Sequence, residues 1–236
     1  MHDLLGYGQS NVGTTRAFLC GLQISQVRSS IHELSLHNLD VNQMKRTHKN
    51  QQSLRLPNYN YYKNGAYFIT ICIKNKECLL GDIEKQKFIS NSFGRIITDT
   101  WYSLAIKYEQ IELDEFIVMP NHIHGIIKID NVGIIHELSL PQNAKQRRKM
   151  LLPKAIGYFK MNSAKKINQI RQIEGISLWQ KNYYEHIIRN EKSLHNIRQY
   201  IINNPARWSE DIENNCGKPN EREINFWQSV GYSNPL

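Results

Sequence analysis

The spacing of apolar positions changes from one segment of the chain to the next, and this pattern predicts a mixed α+β domain. Residues 66–73 form a continuous run of mostly β-branched and aromatic side chains after an Asn-Gly turn, which is typical of a buried strand. Residues 88–107 carry apolar side chains at helical spacing instead. Segments 111–119 and 122–129 are again strand-like, and the tight turn at Pro120-Asn121 predicts that they pair as a hairpin.

The second half of the domain continues this alternation. A helix is predicted from the region of Pro153 to Gly175, followed by a short strand over residues 185–189. Asn190 is a suitable cap for a last helix, which Pro205 ends. The order β-α-β-β-α-β-α predicts a ferredoxin-like antiparallel sheet with helices packed on one face and a C-terminal helix that carries Tyr200.

Residues 1–43 show no persistent period, and we expect them to be a poorly structured N-terminal extension. The sequence Ile-His-Glu-Leu-Ser-Leu occurs at 31–36 and again at 135–140, which we interpret as one repetitive DNA element translated at both places. The pattern therefore predicts one domain over residues 44–210 and a C-terminal tail over 211–236.

Composition and charge narrow the class of protein. Apolar residues make up 40% of the chain and charged residues 22%, which suits a globular domain. No apolar run approaches the roughly 18 residues of a membrane span, no secretory signal is apparent and the four cysteines form no CxxC pair, so a cytoplasmic protein with reduced thiols is expected. The net charge is +9, and residues 1–43 contribute −1 to it. The rest of the chain is therefore strongly basic, which favours nucleic acid as a partner over a membrane.

A His-x-His sequence is the sharpest local feature. Side chains two apart on a strand point to the same face, so His122 and His124 project together while Ile123 points to the other face. Two adjacent neutral imidazoles are suitable metal ligands. The same pair also occurs as ordinary hydrogen-bonded or surface histidines, so the motif alone selects neither a metal nor a reaction.

The last predicted helix offers a nucleophile. Tyr200 has Asn196 and Asn204 four residues away on either side, which predicts a polar stripe beside the apolar core positions of that helix. A tyrosine hydroxyl can attack a phosphate covalently, and the amide of Asn204 could add an oxygen ligand to a metal nearby. A tyrosine that only packs its ring and bonds its hydroxyl fits the same pattern.

A basic tract follows the hairpin. Between Glu137 and Glu174 there are nine basic residues and no acidic one, a composition that attracts phosphate backbones without reading sequence. A solvated helix face with a basic loop is the alternative. The residues from which we expect DNA contacts are Arg147, Arg148, Lys149, Lys154, Lys160 and Lys165.

Four segments taken in order resemble the REP-associated tyrosine transposases, relatives of the HUH single-tyrosine transposases of insertion sequences. They are Arg-Leu-Pro-Asn-Tyr at 55–59, Val-Met-Pro-Asn-His-Ile-His at 118–124, Leu-Trp-Gln-Lys-Asn-Tyr-Tyr-Glu-His-Ile-Ile-Arg at 178–189 and Ile-Arg-Gln-Tyr-Ile-Ile-Asn-Asn-Pro at 197–205. The resemblance covers roughly residues 50–210.

This resemblance implies a ferredoxin-like catalytic domain that cleaves and rejoins single-stranded hairpin DNA through a covalent 5′-phosphotyrosine. Tyr200 falls on the nucleophile position, and His122 and His124 fall on the HUH histidines that hold Mg²⁺ or Mn²⁺ at the scissile phosphate. Asn204 falls where insertion-sequence relatives have a glutamine ligand. The resemblance leaves open a monomer or a homodimer.

Two other functions remain open. One is a non-catalytic, sequence-specific DNA-binding protein derived from a transposase, although all three inferred catalytic positions are occupied. The other is an unrelated metal hydrolase built on His-x-His, which would require further ligands near the strand and would not depend on Tyr200.

Overall fold

The computed structural model describes residues 64–130 and 150–232. The predicted extension, the 55–59 motif, the 135–140 repeat, Arg147, Arg148 and Lys149 lie outside these ranges. The described elements in chain order are β1 (Gly65–Cys72), β2 (Gly81–Glu84), β3 (Lys87–Ser90), α1 (Ser92–Lys107), β4 (Ile111–Val118), β5 (His122–Ile129), α2 (Leu151–Ile170), β6 (Tyr184–Ile188), α3 (Glu191–Asn203) and α4 (Glu221–Ser229), with 3-10 turns at Lys74–Lys76 and Pro205–Arg207.

Four strands form one sheet in the order β4-β5-β1-β6, and every neighbouring pair is antiparallel. The first strand therefore lies inside the sheet between the third and the fourth long strands, as the β-α-β-β-α-β order of a ferredoxin-like fold requires. The predicted fold class is confirmed. The register of β1 against β5 pairs Thr70 with His124 and Cys72 with His122, which places the two histidines beside the end of β1.

The sheet separates two hydrophobic clusters because successive side chains of a strand point to opposite faces. On the α1/α2 face, Ile69, Ile71, Ile123 and Ile127 pack under helices α1 and α2. The α3/α4 face carries the intervening positions of the same strands, among them Phe68 and Ile126, together with the apolar side of α3 and with Trp227 of α4.

A small hairpin replaces the start of the first predicted helix. Phe88, which fits the helical spacing, lies in β3 and pairs with Ile83 of β2. Lys85 and Gln86 form the turn with φ values of 48° and 64°, the left-handed backbone that a two-residue hairpin turn requires. Helix α1 begins only after Asn91, whose side chain accepts hydrogen bonds from two backbone amides of the first turn.

Helix α4 lies in the segment for which the sequence pattern predicts a C-terminal tail. Asn220 accepts a hydrogen bond from the backbone N–H of Glu223, and Trp227 is fully buried against α3 and the sheet. As a result Tyr200 is only 5% exposed, and its predicted place on a polar stripe beside the core is wrong. Phe226 and Trp227 of α4 enclose its ring in a second core, whereas Asn196 of α3 stays exposed. No helix within the described ranges is both long and apolar enough to cross a bilayer.

Candidate active site

The two histidines of β5 face each other on the α3/α4 side of the sheet, beside the end of β1. The Nε2 atoms of His122 and His124 lie 3.0 Å apart. The side-chain amide of Asn121 donates to the backbone carbonyls of Glu213 and Lys76, so its oxygen faces His122 Nδ1 at 2.8 Å. Nδ1 of His122 therefore carries the proton and Nε2 carries a lone pair directed at the partner imidazole.

Both imidazoles are fully buried and held neutral. Burial is the main cause that lowers the pKa of His122 well below its usual value, and it lowers the pKa of His124 to about 3. Nδ1 of His124 lies 2.8 Å from the hydroxyl of Thr70, which fixes the second ring. Neutral imidazoles with outer hydrogen bonds are the form that binds a metal ion.

Asp211 brings a carboxylate to the same place. Its Oδ2 lies 3.7 Å from His122 Nε2, and one ligand atom from each of His122, His124 and Asp211 lies within 4.8 Å of the others. Burial, followed by the charge of Glu223, raises the pKa of Asp211 to about 7. This residue was not predicted, because no spacing in the sequence connects it to β5.

Asn204 adds a second oxygen beside this group. It is buried, and its side chain hydrogen-bonds Asp211. This hydrogen bond lowers the pKa of the Asp211 carboxyl, whereas burial raises it. Asn204 Oδ1 and Asp211 Oδ2 are buried oxygens without a hydrogen-bond partner among the described residues. Two imidazole nitrogens and two unsatisfied oxygens form a donor set that fits a divalent cation, so the group His122-His124-Asp211 could hold a metal ion.

Tyr200 lies directly against His124. The ring centroids of Tyr200 and His124 are 5.3 Å apart, and the phenol ring stacks on Phe226 of α4 at 3.6 Å. The hydroxyl donates to Glu223 Oε1 at 2.9 Å. Burial is the main cause that raises the pKa of Tyr200 well above its usual value, so the phenol is protonated in this state.

An ion-pair network positions the tyrosine helix. The guanidinium of Arg198 donates to both oxygens of Asp114 on β4, at 2.7 and 2.5 Å, and Lys128 of β5 lies 2.8 Å from the same carboxylate. Hydrogen bonds from Arg198 are the main cause that lowers the pKa of Asp114. This contact ties α3 to the sheet two residues before Tyr200.

The described part of the basic tract divides into two kinds of lysine. Lys154 and Lys165 are exposed on α2. Lys160 is half-buried, its ammonium donates to the carbonyls of Gln180 and Lys181 at 2.6 and 3.1 Å, and burial lowers its pKa to about 8. Lys160 therefore holds the loop before β6, whereas the other two are free to meet solvent or a polyanion.

Two proteins of Haemophilus influenzae are similar to this chain in sequence, while no family model matches it. One, an uncharacterized protein, is 42% identical over 166 residues, which is 68% of this chain and 91% of the relative. The other, named "Putative REP-associated tyrosine transposase", is 24% identical over 151 residues, which is 62% of this chain and 73% of the relative.

Two solved structures also align with the described fold. A REP-associated tyrosine transposase bound to a REP hairpin aligns with a TM-score of 0.40 and 18% identity over 65% of this chain and 74% of its own. A putative transposase from Deinococcus radiodurans aligns with a TM-score of 0.35 and 19% identity over 63% of this chain and 95% of its own. The sequence relatives carry the assignment: the chain belongs to one family with the uncharacterized Haemophilus protein, and its predicted relationship to the REP-associated tyrosine transposases is confirmed.

Proposed function

We propose that this protein is a metal-dependent transposase that cleaves and rejoins single-stranded hairpin DNA through a covalent 5′-phosphotyrosine on Tyr200. The observation that carries the proposal is the distance between the phenol ring of Tyr200 and the imidazole of His124, whose centroids lie 5.3 Å apart in one chain. A nucleophile and a group of potential metal ligands are thus neighbours within one chain. A monomer is therefore sufficient for the proposed reaction, and a homodimer is compatible with it.

His122, His124 and Asp211 would hold the cation, and Asn204 would add an amide oxygen. The bound cation would draw charge from the oxygens of the scissile phosphate and orient that group. The Tyr200 oxygen attacks phosphorus, the bond to the 3′-oxygen breaks, and a free 3′-hydroxyl remains. The phosphotyrosine preserves the bond energy, so a 3′-hydroxyl can attack it and reseal the strand without a nucleotide cofactor.

Mg²⁺ or Mn²⁺ is the proposed ion. Two imidazoles with two oxygens are a mixed donor set, and Mg²⁺ prefers oxygen ligands and keeps its water shell more strongly than other divalent ions do. We therefore expect Mn²⁺ to support cleavage at lower concentration than Mg²⁺.

DNA must open the site before it reacts. His122, His124 and Asp211 are fully buried, and Tyr200, which is nearly so, lies under Phe226 of α4. A phosphate can reach the phenol only when α4 or the segment around Asp211 moves. Binding of the hairpin elsewhere on the domain would supply the free energy for that movement.

The basic tract is the proposed DNA contact, with Arg147, Arg148, Lys149, Lys154, Lys160 and Lys165 as its candidates. Because Lys154 and Lys165 are exposed, replacing both with Met should weaken DNA binding uniformly and reduce the slope of log affinity against log salt by about 2. Lys160→Met should instead act through the loop that its ammonium holds. An unchanged slope in the double variant would remove α2 from the interface.

The test of the proposed function is adduct formation on single-stranded oligonucleotides with a central hairpin, randomised flanks and a label at the 3′ end. Since the protein joins the 5′ phosphate of the released 3′ fragment, the label should move with the protein on a denaturing gel, and only with Mn²⁺ or Mg²⁺ present. Tyr200→Phe should abolish the adduct, and His122→Ala or His124→Ala should abolish it while leaving DNA binding largely intact. A wild-type protein that binds the hairpin without any adduct contradicts the proposal.

The closed site also favours a second candidate function, a DNA-binding protein derived from a transposase. In this alternative, the hydroxyl of Tyr200 is a structural donor to Glu223 and α4 never opens. Binding without an adduct at any metal concentration would support it. The hydrolase alternative gains a third ligand from Asp211, and it requires turnover that survives Tyr200→Phe.

A further inference from the structure

Glu223 is a buried carboxylate that the proposed catalytic set leaves unused. It lies in the first turn of α4, and its Oε1 accepts three hydrogen bonds: from the hydroxyl of Tyr200 at 2.9 Å, from the indole N–H of Trp227 at 2.8 Å and from the backbone N–H of Ile212 at 3.3 Å. The residue is 5% exposed. One oxygen atom is thus fixed against the hydroxyl that is proposed to attack DNA.

The packing of a tyrosine does not by itself require a buried carboxylate that is held by two further donors. A buried hydroxyl needs one acceptor, and a backbone carbonyl usually provides it. Burying a carboxylate costs free energy, which neutral donors only partly offset. Trp227 and the Ile212 amide act as two fixed donors that hold the carboxylate oxygen in place.

The imidazole nitrogens near Tyr200 have other partners. Nδ1 of His122 faces Asn121, Nδ1 of His124 faces Thr70, and the two Nε2 atoms face each other. Asp211 belongs to the same group of potential ligands. Among the described residues, Glu223 is the carboxylate in direct hydrogen-bond contact with the phenol.

We propose, on the basis of the function proposed above, that Glu223 takes the proton of Tyr200 when the tyrosine attacks DNA and returns it when the strand is rejoined. During cleavage the opened site keeps the hydrogen bond between Tyr200 and Glu223. The phenol oxygen forms the new bond to phosphorus as its proton passes to Glu223 Oε1. The bond from phosphorus to the 3′-oxygen breaks, and that oxygen leaves with the electron pair and takes a proton from water. During rejoining the 3′-hydroxyl loses its proton to water as its oxygen bonds to phosphorus. The bond from phosphorus to the tyrosine oxygen breaks, and Glu223 gives the proton back to that oxygen.

A purely structural role makes a different prediction. If Glu223 only holds α4 over Tyr200, its replacement should loosen the cover and leave the chemical step equally fast or faster. Glu223→Gln separates the two roles, because glutamine keeps the size and an oxygen acceptor but cannot take the proton. Glu221→Gln is the matched control, since Glu221 lies exposed in the same turn of α4 and its replacement removes the same charge.

The experiment measures single-turnover adduct formation on the 3′-labelled hairpin pool with Mn²⁺, at saturating protein. We expect Glu223→Gln to slow the adduct step about 100-fold with unchanged DNA affinity, and Glu221→Gln to stay within about 2-fold of the wild type. Glu223→Ala should be equally slow and should regain part of its rate when formate is added, because formate can occupy the vacated space and accept the proton. A rate in Glu223→Gln that equals or exceeds that of the wild type overturns the proposal.

A second measurement does not depend on activity. With tyrosine labelled by ¹³C at Cζ, the Tyr200 signal is the one that disappears in Tyr200→Phe. The ¹³C signal of Tyr200 should shift in Glu223→Gln, which removes the carboxylate partner of the hydroxyl, and should not shift in Glu221→Gln. An unshifted signal means that the contact is absent in solution and overturns the proposal. Absence of any adduct in the wild type overturns this role together with the proposed function, whereas a wild-type adduct with a fully active Glu223→Gln overturns this role alone.

Discussion

The two faces of the sheet are built from the same strands but bury different kinds of side chain. On the α1/α2 face the core is apolar, and the fully buried hydroxyls of its helices, Thr100 and Ser163, bond carbonyls of their own helices. On the α3/α4 face the next residues of the same strands are Thr70, His122 and His124, and they meet two carboxylates and a phenol.

This difference shows where the fold obtains its stability and where it places its chemistry. Apolar burial contributes roughly 25 cal/mol per Å², whereas buried polar groups cost free energy unless every one of them is satisfied. The α3/α4 face keeps two oxygens without a hydrogen bond, Asn204 Oδ1 and Asp211 Oδ2, whereas the α1/α2 face leaves unsatisfied the indole N–H of Trp101, a donor that cannot bind a cation. Unsatisfied groups of this kind are expected where function, not folding, selects the residues.

Removing a large side chain from the α1/α2 face should have the largest effect on stability. Phe159 is fully buried and contacts the rings of Trp101 and Trp179. Phe159→Ala should lower the free energy of unfolding by about 3–5 kcal/mol in a denaturant titration. Ile106→Ala, on a side chain that is 86% exposed, should stay within about 0.5 kcal/mol. A loss below about 1 kcal/mol at Phe159 would mean that this face is not the stabilising one.

Metal binding should stabilise the domain through the α3/α4 face. Mn²⁺ at about 100 times its dissociation constant should raise the free energy of unfolding by about 2.7 kcal/mol. The gain should vanish in His124→Ala and in Asp211→Asn, because each removes a ligand of the proposed group. His195→Ala, at an exposed histidine of α3, is the control and should keep the full gain. A gain that persists in Asp211→Asn would restrict the ligand set to the histidines and Asn204.

The stabilisation of the domain by Mn²⁺ should depend on pH near neutrality. The pKa of Asp211 is raised to about 7, and a ligand carboxylate must lose its proton before it binds a cation. The stabilisation by Mn²⁺ should therefore be complete above pH 7 and should fall as the pH decreases below it, by up to about 1.4 kcal/mol per pH unit. Titration calorimetry at pH 6 and pH 8 measures the difference, and equal affinities would show that Asp211 is not a ligand.

Much of the fold could be predicted from the sequence because its signals are local. The alternation that separates His122 and His124 from Ile123 follows from strand geometry, and the Asn190 cap and Pro205 mark the ends of α3. The β2–β3 hairpin could not be predicted in this way. Its turn uses Lys85 and Gln86 at positive φ, where glycine or asparagine is the usual signal.

The site could be predicted from the sequence only in part, for a different reason. Asp211 lies in a run of acidic residues that looks like a solvated surface, and only the tertiary structure brings it to His122. Helix α4 did have a local signal, Asn220 with Glu223 three residues later and Trp227 one turn beyond. That signal predicts a helix but not that the helix covers Tyr200. The roles of Tyr200, His122, His124 and Asn204 stay predictions that the adduct experiment tests.

The smallest effect should come from the contact that joins the tyrosine helix to the sheet. The pKa of Asp114 is lowered mainly by Arg198, so its carboxylate contributes stability above its unfolded pKa of about 3.9, and this contribution is lost as the pH falls toward the folded value. Asp114→Asn should cost about 1 kcal/mol at pH 7, a decrease in Tm of about 2–4 °C, and the difference from the wild type should shrink steadily below pH 4. Glu112→Gln removes the exposed partner of the same Lys128 and should change Tm little at either pH. If Asp114→Asn left Tm unchanged at pH 7 but slowed adduct formation, the network would serve to orient Tyr200 and not to stabilise the fold. The contrast between a face that stabilises the fold and a face that carries the proposed chemistry would then extend to the edge of the sheet.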